Sequence, residues 1–165
     1  MAKKKDKHQH KTNAVRIVEA AGIPYEMHEY EAPEGFLDGV SVAKALGQEP
    51  GSVFKTLVTV GQSREYYVCE IPVDKELDLK KAAREVGEKS LAMLHVKDIN
   101  AVTGYVRGGC TAVGMKKQYV TRIDASAQNL PTMVVSGGHL GTQLELKPED
   151  LRKAANAEFA DIVVE

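Results

Sequence analysis

The segment VFKTLVTV-GQSR-EYYVCEI constrains the fold more than any other stretch of this 165-residue chain. Two apolar runs, rich in β-branched and aromatic residues, flank the short turn-forming tetrad Gly61-Gln62-Ser63-Arg64. The pattern predicts a β-hairpin, one strand over 53–60 and its partner over 65–71. Everything around it is short and mixed. Ala14, Ile17, Val18 and Ala21 fall at helical spacing behind a Thr12 or Asn13 cap, with Gly22 as the stop. YEMHEY alternates as a strand, EAPEGFLDG is loop material, and SVAKAL is a short helix ended by Gly47. Asp78 caps a helix that carries Leu79, Ala82, Ala83 and Val86 on one face and stops at Gly87. SLAML predicts a strand, 96–102 a helical turn, and 119–123, 132–136 and 142–146 three further strands. Pro148 sits at a first helical position and opens a helix through about Asn156, after which DIVV is expected to close the chain as a strand. Hairpins interspersed with short helices argue for an α+β fold over the regular alternation of a doubly wound one. With no repeat and no linker after residue 11, residues 12–165 are expected to form one domain.

Composition matters for what it excludes. The net charge is only −1, so bulk charge does not hold this chain on a nucleic acid. That total hides an asymmetry: residues 1–11 carry five lysines against one aspartate, a net +4, which leaves the remainder at −5. MAKKKDKHQHK has too few apolar residues to offset its ordering entropy by burial, and a disordered basic tail is expected over 1–11. No apolar run approaches the about 18 residues a bilayer span needs, and no apolar segment follows the basic N-terminus as a secretory signal requires. Cys69 and Cys110 lie far apart, without disulfide-framework or CxxC spacing. A soluble, reducing, cytoplasmic setting is expected, with no membrane or DNA partner.

Three features could carry chemistry. Lys55 lies inside the first hairpin strand, where alternation puts Val53, Lys55, Leu57 and Thr59 on one face and Phe54, Thr56, Val58 and Val60 on the other. Both faces are largely apolar, so the cation must reach water or an anion. It is either a snorkelling edge-strand lysine or a functional one. Gly104, Gly108, Gly109 and Gly114 punctuate TGYVRGGCTAVG, and Gly137, Gly138 and Gly141 punctuate SGGHLG. Such glycines either serve turns or let backbone N–H groups approach an oxyanion. Neither segment matches a phosphate-loop or dinucleotide fingerprint, so no cofactor is expected. Cys110, directly after Gly-Gly, is a possible nucleophile with His28, His95 or His139 as base, but no spacing selects one. The scattered histidines suggest no metal site. Cys69, Phe54, Tyr66 and Tyr67 read as core.

Taken together, VFKTLV, LDLKKAAREVG, TGYVRGGCTAVGMKK, IDAS, VSGGHLGTQLEL and FADI resemble, in order and spacing, the YbaK/EbsC family of aminoacyl-tRNA deacylases. That family is related to the editing domain of bacterial prolyl-tRNA synthetases. The resemblance covers roughly 12–164 and implies a single-domain, mixed or antiparallel pseudo-barrel sheet with flanking short helices. It implies hydrolysis of mischarged aminoacyl-tRNA, typically cysteine on tRNA(Pro), with possible help from prolyl-tRNA synthetase as partner. By position it implies that Lys55 is the critical lysine and that Tyr30, Thr56, Gly108, Gly109, Ser136, Gly137 and Gly138 bind substrate. It further implies that the thiol of a cysteinyl substrate attacks its own ester, which would make Cys110 loop filler. Gln143, where many relatives carry aspartate, and Thr111-Ala112, where Ser-Pro is common, depart from the pattern and bear on amino-acid preference. A non-catalytic module binding tRNA or a synthetase, with a drifted pocket, is the alternative of another class.

Overall fold

The computed structural model describes residues 11–31 and 38–165, so most of the basic tail and of the EAPEGFLDG loop lies outside it. Helix α1 (Asn13–Ala20) is capped by the Thr12 hydroxyl, which accepts the Val15 N–H at 3.1 Å, and it buries Ala14, Val15 and Val18. Strand β1 (Glu26–Glu29) follows. Helix α2 (Gly39–Ala45) starts two residues before the SVAKAL segment because the Asp38 carboxylate accepts the Ser41 N–H at 2.8 Å.

The hairpin forms as expected from strands β2 (Phe54–Gly61) and β3 (Tyr66–Pro72), in the register Lys55 opposite Ile71, Thr56 opposite Glu70. Helix α3 (Leu79–Val86) lies between the predicted Asp78 cap and Gly87, whose φ of 77° closes it in the left-handed region. Strand β4 (Leu91–Met93), a 3₁₀ turn, helix α4 (Ile99–Thr103), and strands β5 (Val120–Asp124), β6 (Met133–Ser136) and β7 (Thr142–Leu146) come next. Helix α5 (Pro148–Ala155) begins on Pro148, and strand β8 (Glu158–Ala160) ends the element order.

The architecture is α+β with mixed sheets, but the strands do not close into a pseudo-barrel. They divide into a three-stranded sheet, β1-β7-β6, and a five-stranded sheet, β4-β2-β3-β5-β8. The second is mixed: β3–β5 and β5–β8 run parallel, the other pairs antiparallel. A second correction concerns the C-terminus. The closing strand is Glu158–Ala160 and not DIVV, which contributes only a bridge between Val163 and Leu77. Two hydrogen bonds make that bridge, the Asp78 N–H donating to the Ile162 carbonyl at 2.8 Å and the Val164 N–H to the Glu76 carbonyl at 2.9 Å, while the Ile162 N–H donates to the Asp124 carboxylate at 3.2 Å. With the Ile162 N–H given to a side chain, the segment extends no ladder beyond that bridge.

The main core gathers α1, Phe54, Val68, Val113, Ile123, Met133, Val135, Leu144 and Leu151, joining both sheets. A second cluster packs Cys69, Ile71 and Ile162 against Ala82 and Ala83 of α3. Strand β4 pairs with Thr59–Gly61 at one end of β2, while β6 joins at the other end through the isolated bridge between Val134 and Val53, the residue before β2. The stretch of β2 between those two contacts is where the site lies.

Candidate functional site

Residues Phe54–Val58 of β2 line a cavity of about 510 Å³. Its other walls come from the start of α2, from 93–99, from the loop at 107–110, and from β6 and β7. The larger part of the lining surface is apolar. The apolar mouth holds Val40, Met93 and Val96, which are 41%, 44% and 53% exposed. Against that background stand the charged residues Lys55, Arg107 and Asp38 and the polar residues Tyr30, Thr56, Ser136, Thr142 and Gln143. Volume, apolar walls and a few convergent polar groups are the usual make-up of a small-molecule site.

Of the eight residues singled out from the sequence, five line this cavity: Tyr30, Lys55, Thr56, Gly108 and Ser136. They converge from four separate segments, Lys55 and Thr56 being neighbours in β2. Lys55 is half-buried in the lining, and its charge acts on the carboxyl of Asp38, which also lines the cavity. Tyr30 is fixed by its backbone N–H, which donates to the Gly141 carbonyl at 2.9 Å and so ties the end of β1 to the second glycine loop. Gly109, Gly137 and Gly138 stand behind the lining. Their N–H groups are already used: Gly109 donates to Val106 O at 2.9 Å, Gly137 to Thr142 O at 2.8 Å, and Gly138 to Ser136 Oγ at 3.2 Å. What requires glycine there is close approach. A Cβ on Gly109 would lie 2.6 Å from the Cα of His139, so the two glycine loops touch backbone to backbone. A Cβ on Gly138 would meet the Cβ of Thr12 at 3.0 Å, and the Thr12 hydroxyl donates to the Gly137 carbonyl at 2.6 Å. The cap of α1 thus also holds the second loop.

The departures from the family pattern are buried, and the Thr111 hydroxyl has no hydrogen-bond partner among the described residues. Gln143, 5% exposed, forms a reciprocal amide pair with Gln48, at 2.9 and 3.3 Å. Thr111 is fully buried, and the next residue, Ala112, turns its N–H to the carboxyl of Glu70. Glu70 itself was missed. It is completely buried on β3 beneath Thr56, whose hydroxyl donates to Glu70 Oε2 at 2.6 Å, and its other oxygen has no partner among the described residues. Burial pushes its carboxyl up to about 7 against the pull of Thr56 and Ala112. The signal was present in the sequence as one acid inside the apolar run YYVCEIP, but alternation alone does not say what lies across the hairpin.

Cys110 lines the cavity and is 8% exposed. Burial pushes its thiol up to about 12, partly offset by the Thr103 side chain, with the charge of Glu70 adding to the rise. No histidine lines the cavity among the described residues. His28 faces away to Glu145 at 2.6 Å, and His139 Nδ1 lies 3.0 Å from the Leu140 carbonyl. The arrangement offers no thiolate and no base beside one. Glu26, His28 and Glu145 bring one ligand atom each within 4.8 Å of the others, but none lines the cavity, and Glu145 is engaged by His28 and Thr132. Among the described residues no helix is long and apolar enough to cross a membrane.

Comparisons with known proteins converge on one family. A family model described as "Aminoacyl-tRNA editing domain" matches residues 38–154, which includes β2, both glycine loops and most of the cavity. A curated protein of Enterococcus faecalis, named "Putative Cys-tRNA(Pro)/Cys-tRNA(Cys) deacylase EbsC", is 49% identical over 162 residues, covering 98% of each chain. A solved structure described as "a putative trans-editing enzyme for prolyl tRNA synthetase" is 25% identical, with a TM-score of 0.79 over 93% of this chain and 99% of that one. A second, of a protein described as hypothetical, shares the fold at 22% identity with a TM-score of 0.81 over 90% of this chain and 97% of that one. With the family model spanning well over half of its length and a relative at that level of identity, this chain belongs to the aminoacyl-tRNA editing domain family.

Proposed function

We propose that this protein is a trans-acting deacylase that hydrolyses the ester linking a wrongly attached amino acid, cysteine foremost, to the 3′ end of tRNA(Pro). The observation that carries the reading is the placement of Lys55, a lysine in the wall of a cavity that shows no nucleophile–base pair among the described residues. An aminoacyl ester is already activated, so positioning and charge stabilisation supply what its cleavage needs. Lys55 supplies positive charge where the carbonyl oxygen turns anionic, Arg107 adds to the field at the 3′-terminal phosphate, and Tyr30, Thr56, Gly108 and Ser136 orient the aminoacyl group. Gly109, Gly137 and Gly138 shape the loops from behind. Residues 12–165 form the catalytic domain, and 1–11 a basic tail that adds electrostatic attraction to RNA. The domain's acidic balance makes for weak intrinsic tRNA binding, so prolyl-tRNA synthetase presents the substrate, in the cytoplasm.

The test is a panel of mischarged tRNAs, with and without prolyl-tRNA synthetase, against the wild type and Lys55→Ala. Wild type clears cysteinyl-tRNA(Pro). Lys55→Ala, with unchanged circular dichroism and melting, loses about 100-fold or more, the scale of removing one oxyanion-stabilising group. Wild-type inactivity on every member, or full turnover by folded Lys55→Ala, overturns the reading.

A further inference from the structure

Glu70 has no role in the scheme above, yet it is the costliest side chain near the cavity. It is fully buried, one oxygen accepts the Thr56 hydroxyl at 2.6 Å, and the other is unpartnered among the described residues. Among the described residues no lysine, arginine or histidine acts on its charge; the groups that do lower its proton affinity are Thr56 and the Ala112 N–H. A buried carboxylate without a cation is expensive to keep. It is also aimed: the residue between it and the cavity is Thr56, which lines the wall.

We propose that Glu70 is a positioning residue that, acting through Thr56, selects substrates bearing a free α-ammonium group. The inference rests on the deacylase reading and deepens it by naming which part of the aminoacyl ester the β2 wall recognises. A hydroxyl has one proton and two lone pairs. With its proton committed to Glu70, Thr56 presents lone pairs to the cavity and receives an N–H⁺ donor. The Thr56–Glu70 pair then places negative charge one hydroxyl away from the bound cation, and the cation offsets the burial of the carboxylate. The cavity's other charged groups leave this task open. Lys55 and Arg107 are cations that suit the carbonyl and phosphate oxygens. Asp38, the carboxylate in the lining among the described residues, is exposed at the rim and committed to capping α2. Its carboxyl is held low chiefly by Ser41, with the Lys55 charge a smaller cause, so Lys55 acts on Asp38 and not on Glu70.

The probes are tRNA(Pro) charged with cysteine and the same tRNA charged with N-acetylcysteine, which keeps the ester and the thiol but carries no ammonium. Wild type is expected to prefer the free amine in kcat/KM by about tenfold or more, the scale of one charge-assisted hydrogen bond. Glu70→Gln, nearly isosteric, is expected to bring that ratio down about tenfold, chiefly through KM. Thr56→Val is expected to lower the ratio equally, Thr56→Ser to retain it, and the Glu70→Gln, Thr56→Val double variant to fall no further than either single one. A merely structural role lowers both substrates together and leaves the ratio untouched, and that result overturns the proposal. So does a wild type that cleaves both esters equally, while the deacylase reading stands. If Glu70→Gln does not fold, the Thr56 pair alone decides.

Discussion

The contact between the two glycine loops can be tested by adding one methyl group. In Gly109→Ala the new Cβ would lie 2.6 Å from the Cα of His139, 3.0 Å from its carbonyl carbon and 3.1 Å from the Leu140 nitrogen. All three are backbone atoms, so no side-chain rotation relieves the clash. The φ of Gly109 lies outside the left-handed region, which leaves steric overlap as the cause. Overpacking of this kind costs about 2 kcal/mol. For a chain of this length that lowers Tm by about 4–8 °C. The loops separate to accommodate the methyl group, carrying with them Gly108 and Cys110 on one side and Ser136 on the other, all in the cavity lining. Misplacement by a fraction of an ångström in a positioning-driven reaction is expected to cost about tenfold or more in kcat/KM. The assay is urea or thermal unfolding alongside deacylation, with Gly51→Ala as control. A Cβ on Gly51 meets nothing within 4 Å, so that variant should stay within about 0.5 kcal/mol of wild type or gain slightly. If Gly109→Ala melts within a degree of wild type and retains its rate, the loop-against-loop account of Gly109 is wrong.

Glu70 also sets a pH dependence of stability. Its carboxyl rises from the ordinary 4.5 to about 7 on folding, so the native state holds the proton more tightly than the unfolded chain. As pH climbs from about 4.5 to about 7 the unfolded state loses its proton first, and stability falls by about 3 kcal/mol before levelling off. The neighbouring thiols do not obscure it: Cys69 and Cys110, both pushed up to about 12 by burial, stay neutral over that range. Denaturation of wild type and Glu70→Gln at pH 5 and pH 8 checks this; equal differences at both pH values would argue against a buried, titrating Glu70. Cys110→Ala is expected to keep deacylation within about threefold, and iodoacetamide at pH 7.5 to leave the wild type active, because a thiol lifted to about 12 is scarcely ionised. Loss of activity on alkylation with Cys69→Ala as background would reinstate Cys110 as a nucleophile.

What the amino-acid order determined by itself was local. Thr12, Asp78, Gly87 and Pro148 mark helix ends because capping uses atoms a few residues away, and the hairpin follows from two β-rich runs and a tetrad turn. The family resemblance, carried by spaced motifs, pointed to Lys55 and Thr56 for the same reason: they are adjacent in one strand. What only the tertiary structure decided depends on partners distant in sequence. The division into two sheets, the attachment of DIVV to the Asp124 side chain and to a single bridge with Leu77, and the use of three glycine N–H groups inside their own loops are pairings no periodicity reports. Glu70 is the sharpest case. A glutamate in an apolar run states a burial cost; only the hairpin register, setting it opposite Thr56 on the cavity wall, turns that cost into a chemical role.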